Sequence, residues 1–332
     1  MGRIEEIINF FKRMQVLVTG GAGFIGSNLV GKLLDDKSVS LVRILDNLST
    51  GSKQNLQEYA DQNRLEFVEG DIRNYDTCLK ACEGIDRISH QAALGSVPRS
   101  INDPLTTNEV NITGTLNIFM AAKEQGIKRI VYAASSSTYG DHPGLPKTED
   151  RIGSPLSPYA VTKYVNELYA KVFADLYKLE LIGLRYFNIF GPRQSPKGPY
   201  AAVIPLFVKA LLESKSPVIN GDGSHSRDFT FVDNAVQANI AALSTQNPQA
   251  VNQVYNIAFG KQTSLLQLFD ILKQNAGSQM VPAHGPERAG DVKHSLADIS
   301  KAKELLGYAP DISVEEGLKK TFDWYKINPG RL

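Results

Sequence analysis

The sequence predicts an α/β fold, a doubly wound parallel sheet carrying a smaller C-terminal α/β lobe. Three observations predict it. Short, continuous apolar runs rich in β-branched residues alternate with helical patterns through the first half of the chain. A glycine-spaced turn separates the first such run from the first helical pattern. Beyond Phe187, Gly, Pro and polar residues cluster at 191–200 and 220–227, between shorter helical stretches.

The strand-like runs are residues 15–19 (QVLVT), 41–45 (LVRIL), 65–68, 87–90, 129–134 (RIVYAA) and 181–186 (LIGLRY). Helical patterns fall between them at 25–34, 115–124 and 160–177. Uninterrupted apolar strands alternating with helices imply a parallel sheet covered on both faces. Further helices are expected at 203–212 and 265–274, and 254–257 is expected to return a strand to the main sheet. The expected organisation is an amphipathic helix over 1–13, with Ile4, Ile7, Ile8 and Phe11 on one face, then a domain built on the parallel sheet over 14–187 and a second lobe over 188–332.

Composition narrows the function. The 332 residues are 42% hydrophobic and 21% charged, which excludes a disordered or collagen-like chain. Lys+Arg 36 against Asp+Glu 35 leaves a net charge of +1, so no nucleic-acid partner is expected. Two cysteines, Cys78 and Cys82, are too few for a disulfide scaffold or a metal site. They read as helix residues in a reducing compartment. No apolar run reaches the ~18–20 residues of a membrane span, and 1–13 does not read as a leader. A cytoplasmic protein with no membrane partner and no metal is expected.

Gly20, Gly23 and Gly26 follow the first strand with G-x-x-G-x-x-G spacing and open a helix. Glycines so placed permit a tight turn, close approach of backbone to a pyrophosphate, and close helix–strand packing. The phosphates would lie over the helix N-terminus, where free N–H groups favour anions. This is a Rossmann-type fingerprint. Asp46 ends the second strand twenty residues after Gly26. A carboxylate there accepts bonds from a ribose and repels a 2′-phosphate, so NAD is expected over NADP. Asp71 and Ile72 follow the third strand, where they would meet the adenine.

Ser135 ends the fifth strand, followed by Ser136 and Ser137. Tyr159 and Lys163 lie i,i+4 on one helix face, after Pro158 at its first position. A phenol of ordinary pKa ~10 is a poor base at neutral pH. A neighbouring ammonium and a nicotinamide cation are expected to lower it. Tyr159 would then take a proton from a substrate hydroxyl held in line by Ser135.

Together these motifs resemble the extended short-chain dehydrogenase/reductases, specifically the nucleotide-sugar 4-epimerases. The resemblance spans residues 15–324 and rests on TGGAGFIG, LDNLSTG, GDIR, HQAA, SSSTYGD, SPYAVTK, RYFNIFGPRQ, RDFTFVDN and ERAGDVKHS. It implies an NAD site at Gly20, Gly23, Phe24, Ile25, Gly26, Asp46, Asn47, Ser49, Gly51, Asp71, Ile72, Gln91, Ala92, Ala93, Tyr159, Lys163 and Tyr186. It implies catalysis by Ser135, Tyr159 and Lys163. The 4-OH loses its proton to Tyr159, hydride passes to nicotinamide, and the resulting 4-keto sugar turns over before hydride returns to its other face.

The resemblance also implies a UDP site. Asn188, Arg227 and Arg288 would hold the diphosphate, Asp291 the uridine ribose, and Ala202, Val203, Val218 and Asn220 the uracil. Gly95, Ser96, Ser135, Ser136, Ser137 and Tyr159 would surround the sugar, with Ser295 as a gate beside its C2 substituent. A small gate leaves room for an N-acetyl group, so the subgroup resembled is the UDP-N-acetylglucosamine 4-epimerases. Plain UDP-glucose and UDP-galactose form the weaker expected pair. No carboxylate follows Ser135, which argues against a 4,6-dehydratase. A UDP-glucuronate 4-epimerase and a non-catalytic NAD-binding regulator remain alternatives. The family's helices form a four-helix bundle, so a homodimer is expected.

Overall fold

The structure, a computed structural model, describes residues 13–197, 201–286 and 293–332. The helix expected over 1–13 falls, but for Arg13, outside the described residues.

Seven parallel strands form the central sheet. They are β1 (Met14–Thr19), β2 (Val39–Asp46), β3 (Leu65–Glu69), β4 (Arg87–His90), β5 (Arg129–Ser135), β6 (Glu180–Tyr186) and β7 (Gln253–Ile257), in the order β7-β6-β5-β4-β1-β2-β3. The order reverses between β1 and β4, where Thr19 lies beside His90. Such a reversal opens a crevice at the carboxyl ends of the strands. β7 pairs with β6 in parallel from Gln253↔Ile182 to Ile257↔Tyr186, the returning strand expected near 254–257.

Alternate β1 residues feed opposite layers. Val16 and Val18 enter one core, with α1 (Phe24–Asp35) packed over it. Leu17 enters the other, built from α2 (Tyr75–Cys82), α3 (Gly114–Glu124) and α4 (Pro158–Tyr177). Full burial of both faces explains why the strands read as continuous apolar runs rather than alternations. The first core continues through α5 (Val203–Leu212), α6 (Val232–Ser244), α7 (Leu265–Asn275) and α8 (Val314–Ile327), as far as Tyr325. The second half of the chain is therefore packed into the same core as β1. Its own strands are short pairs: Ile189–Phe190 with Thr230–Phe231, Ser226–Asp228 with Gln262–Ser264, and Val218–Asn220 with Ala283–Gly285.

Two local details position the site. Ser157 caps α4, its Oγ accepting from Ala160 N at 3.1 Å, and Pro158 takes the first turn. Ahead of α3, the helix starting at Pro104 widens into a π turn over Glu109–Thr113. Asn111 within it spans the gap to the neighbouring loop, accepting from Leu94 N at 2.8 Å and donating to Thr162 Oγ1 at 3.1 Å. Cys78 and Cys82 are buried on α2, and desolvation pushes both thiols up to about 12. Among the described residues, no helix is long and apolar enough to cross a membrane.

Candidate active site

A cavity of about 510 Å³ occupies the crevice between β1 and β4. Its floor is the glycine turn. Gly20 has φ +68°, and a Cβ there would fall 2.7 Å from Ala92 N. A Cβ on Gly26 would fall 2.2 Å from Gly20 O. Only glycine permits so close a return of chain onto chain, which leaves bare backbone facing the cavity. Gly23, Phe24 and Ile25 complete this wall. Asp46 holds the turn to β2, its Oδ2 accepting from Ala22 N at 2.9 Å and its Oδ1 from Leu48 N at 2.8 Å. Asn47, Ser49 and Asp71 line the same end. Gly51 lies behind the lining, packed on Ala22.

Asp71 pairs with Arg73 at 2.7 Å and accepts from Asn47 Nδ2 at 3.0 Å. Arg73 holds that carboxyl down at about 2. Ile72 lines the wall beside it. Gln91, Ala92, Ala93 and Tyr186 form the opposite side. Beneath them, Tyr186 donates to Gln91 Oε1 at 3.1 Å and accepts from Asn239 Nδ2 at 2.7 Å. A glycine cradle over a helix start, with a carboxylate at the end of β2, fits a dinucleotide.

Ser135, Tyr159 and Lys163 line the far end of this cavity. The Ser135 hydroxyl lies close enough to the Tyr159 phenol to favour its ionised form, and its Oγ accepts from Ser137 N at 3.1 Å. Lys163 Nζ donates to Ala133 O at 2.8 Å and sits 6.0 Å from the centre of the Tyr159 ring. The expected lowering of the phenol pKa counts on a bound nicotinamide cation as well as the ammonium; the chain's own residues act in the other direction. Burial pushes Tyr159 above its ordinary value, and the nearby Ser135 hydroxyl only partly offsets it. Burial also pulls Lys163 down to about 8, against the upward pull of Glu167. Desolvation is the larger cause for both groups, and Nζ is directed at the Ala133 carbonyl rather than at the phenol oxygen.

A second cavity of about 500 Å³ adjoins the first. It is lined by Asn188, Val203, Val218, Asn220 and Arg227 of the expected set, and by Leu206, Phe207, His225 and Phe229. The sequence reading missed these four, which carry no local signal beyond apolarity or a turn position. Asn188 borders both cavities. It has φ +37° and donates to Asp228 O at 3.3 Å. Ala202 caps α5 just beyond the lining residue Ala201. Arg227 Nη1 donates to Ser226 O and Lys293 O, each at 3.0 Å.

Gly95, Ser96, Ser136 and Ser137 face the first cavity near Tyr159. Ser96 adopts φ +113°, a strained backbone for a side-chain-bearing residue at this wall. Ser295 lines neither cavity. It stands beside Asp228, with its Oγ accepting from Asp228 N at 3.4 Å. Arg288 and Asp291 lie outside the described residues.

Asp228 was also missed. Its buried carboxylate accepts from Phe259 N, Gly260 N and Ala297 N, tying three segments beside the second cavity. Desolvation pushes it up to about 6.

A doubly wound sheet, a glycine cradle and a Ser-Tyr-Lys trio define an NAD-dependent enzyme of the short-chain dehydrogenase/reductase type. The sequence profile of the NAD dependent epimerase/dehydratase family matches residues 16–258, and the chain belongs to that family. Its cofactor is NAD. The chain is 38% identical over 315 residues to the UDP-glucose 4-epimerase of Mycolicibacterium smegmatis, covering 94% of this chain and 99% of that one. It superposes with a TM-score of 0.90 on the UDP-N-acetylglucosamine 4-epimerase of Methanobrevibacter ruminantium in complex with UDP-N-acetylmuramic acid, at 41% identity, covering 96% of this chain and 100% of that one. A UDP-glucuronic acid 4-epimerase from Bacillus cereus, with UDP-glucuronic acid and NAD, superposes with a TM-score of 0.87 at 33% identity, covering 95% and 100%.

Proposed function

We propose that the chain inverts C4 of UDP-N-acetylglucosamine and UDP-N-acetylgalactosamine, and of UDP-glucose and UDP-galactose more weakly. The chain is a UDP-sugar 4-epimerase. The observation that carries this reading is the meeting of two cavities at Asn188, with Ser135, Tyr159 and Lys163 at the sugar end of the first. A nucleotide gripped in one cavity can swing its sugar against the reacting groups in the other.

Gly20, Gly23, Gly26, Asp46 and the Gln91–Tyr186 pair would hold NAD. When bound, NAD accepts hydride from the sugar C4 and returns it. Ser135 orients the 4-OH, and Tyr159 accepts its proton as the C4 ketone forms, then gives it back. Lys163, still largely protonated at neutral pH with its pKa near 8, supplies the nearby positive charge. Ser136, Ser137 and Ser96 offer short hydroxyls that can bond the sugar in either orientation. Asn188 and Arg227 are proposed to hold the diphosphate throughout, with the planar Arg fork suited to paired oxygens.

The N-acetyl preference rests on small residues: Gly95 on the wall of the first cavity, where a Cβ would meet nothing within 4 Å, and Ser295, which the family resemblance makes the gate and which stands against Asp228. Side-by-side turnover of the four UDP-hexoses tests the reading. Ser295→Tyr is expected to suppress the N-acetylated pair about tenfold or more while sparing the plain pair. Equal loss on both pairs, or none, refutes the gate. Turnover of UDP-glucuronate alone would favour the alternative epimerase.

A homodimer belongs to the same proposal. Val161, Leu168, Val172 and Leu176 form an exposed apolar stripe on α4, beside exposed Ile101 and Leu105 on the helices packed against it. Contiguous apolar surface of this kind is characteristic of an interface. A reducing, cytoplasmic compartment suits the two free thiols.

A further inference from the structure

We propose that the turn Gly191–Gln194 is a clasp that holds the cofactor-binding turn against the substrate half, with Arg193 as its positioning residue. The inference rests on the NAD site described above.

The turn begins three residues after Asn188, where the two cavities meet. Its backbone is unusual twice over. Gly191 has φ +155°, and a Cβ there would fall 2.6 Å from Val232 Cγ1. Arg193 has φ +70°, a left-handed conformation that side-chain-bearing residues seldom adopt. Strain of this kind persists only where surrounding contacts over-determine it.

Those contacts come from three directions. Toward α1, Arg193 Nη1 donates to Ser27 O at 2.9 Å, and Asn28 Nδ2 donates to Pro192 O at 3.2 Å. Toward the turn Lys53–Tyr59, Arg193 pairs with Glu58, donates to Tyr59 Oη at 3.2 Å and lies 5.5 Å over the Tyr59 ring. Toward α8, Tyr325 donates its hydroxyl proton to Gln194 O. The Arg193 side chain is only 11% exposed, so this guanidinium spends its donors inside the protein.

The clasp bears on the cofactor through geometry. α1 starts at the glycine cradle, and Ser27 and Asn28 lie in its first turns. Gln194 and Ile189 line the same cavity from the other side. Gln194 Nε2 donates to Ile189 O at 3.2 Å, while its buried Oε1 has no hydrogen-bond partner among the described residues. The span from Ser27 to Gln194 therefore fixes the width of the cofactor cleft. An epimerase that uses one NAD for both half-reactions needs that cleft to stay closed while the sugar turns. Arg193 touches neither the second cavity nor the reacting trio, so its loss should release cofactor and leave nucleotide-sugar grip intact.

The test is direct binding, without turnover. NAD and UDP dissociation constants are measured by titration calorimetry on the full chain and on Arg193→Gln, Arg193→Lys and Tyr325→Phe. Arg193→Gln is expected to weaken NAD by about tenfold or more, with UDP affinity within about twofold. Arg193→Lys should recover part of the loss, and Tyr325→Phe should weaken NAD in the same direction by less. If Arg193→Gln does not fold, Tyr325→Phe decides. NAD affinity unchanged in the variants, or UDP affinity falling in parallel with it, overturns the clasp. Failure of the unaltered chain to bind NAD removes the cofactor site on which it rests.

Discussion

Tyr159 and Lys163 show how burial reshapes a short motif. Their i,i+4 spacing placed both on one face, but the raised phenol and lowered ammonium come from desolvation that only the assembled cleft imposes. Tyr159→Phe removes the proton acceptor, together with its interaction with the Ser135 hydroxyl. Its turnover should fall about 10²–10⁴-fold with UDP affinity within twofold, measured by epimer-resolving assay and calorimetry. His90 behaves differently. It is fully enclosed between Thr19 Oγ1 at 2.7 Å and Thr115 Oγ1 at 3.0 Å, and burial with Lys163 nearby pulls its pKa down to about 3. The folded protein thus keeps His90 neutral where an unfolded chain, near 6.5, would protonate it. Stability held above pH 6.5 is lost as pH falls toward 3, by about 2 kcal/mol between pH 6.5 and 5. Asp228, with its raised pKa, acts in the opposite direction between about 4 and 6. The measurable quantity is therefore the difference between His90→Gln and the parent in denaturant titrations at both pH values. The variant should show the shallower loss on acidification.

At the scale of elements, the glycine turn was legible because its chemistry is backbone chemistry. Spacing, strand and helix all lie within residues 14–35, so no distant contact was needed to recognise it. Gly26→Ala would drive a Cβ to 2.2 Å from Gly20 O and force the turn open. NAD should bind about tenfold or more weakly, with UDP binding unchanged, by the same calorimetry. The helix expected over 115–124 was legible, but the form of the turn that leads into it was not. Apolar periodicity cannot reveal that Glu109–Thr113 widens, because the cause is Asn111 reaching Leu94 and Thr162 from other segments. Asp228 was missed for the same reason. Its donors come from 259, 260 and 297, far along the chain. Residues whose role is to join distant segments leave no local periodicity to read.

For the whole molecule, the doubly wound order followed from counting alternating strands and helices, whereas the joining of the two cavities did not. The apolar stripe on α4 raises the question of assembly. A Leu168→Glu, Leu176→Glu double variant should sediment as a folded monomer where the parent sediments as a dimer; a monomeric parent would defeat that reading.

The core that runs from Val16 through Phe190 and Phe231 to Tyr325 has a thermodynamic consequence. Walls that share one apolar interior melt together. Calorimetric unfolding should therefore show a single peak rather than two. UDP, although confined to its own cavity, should raise the temperature at which the dinucleotide end of the sheet also comes apart. Each ligand becomes a thermal guardian of the other's binding surface.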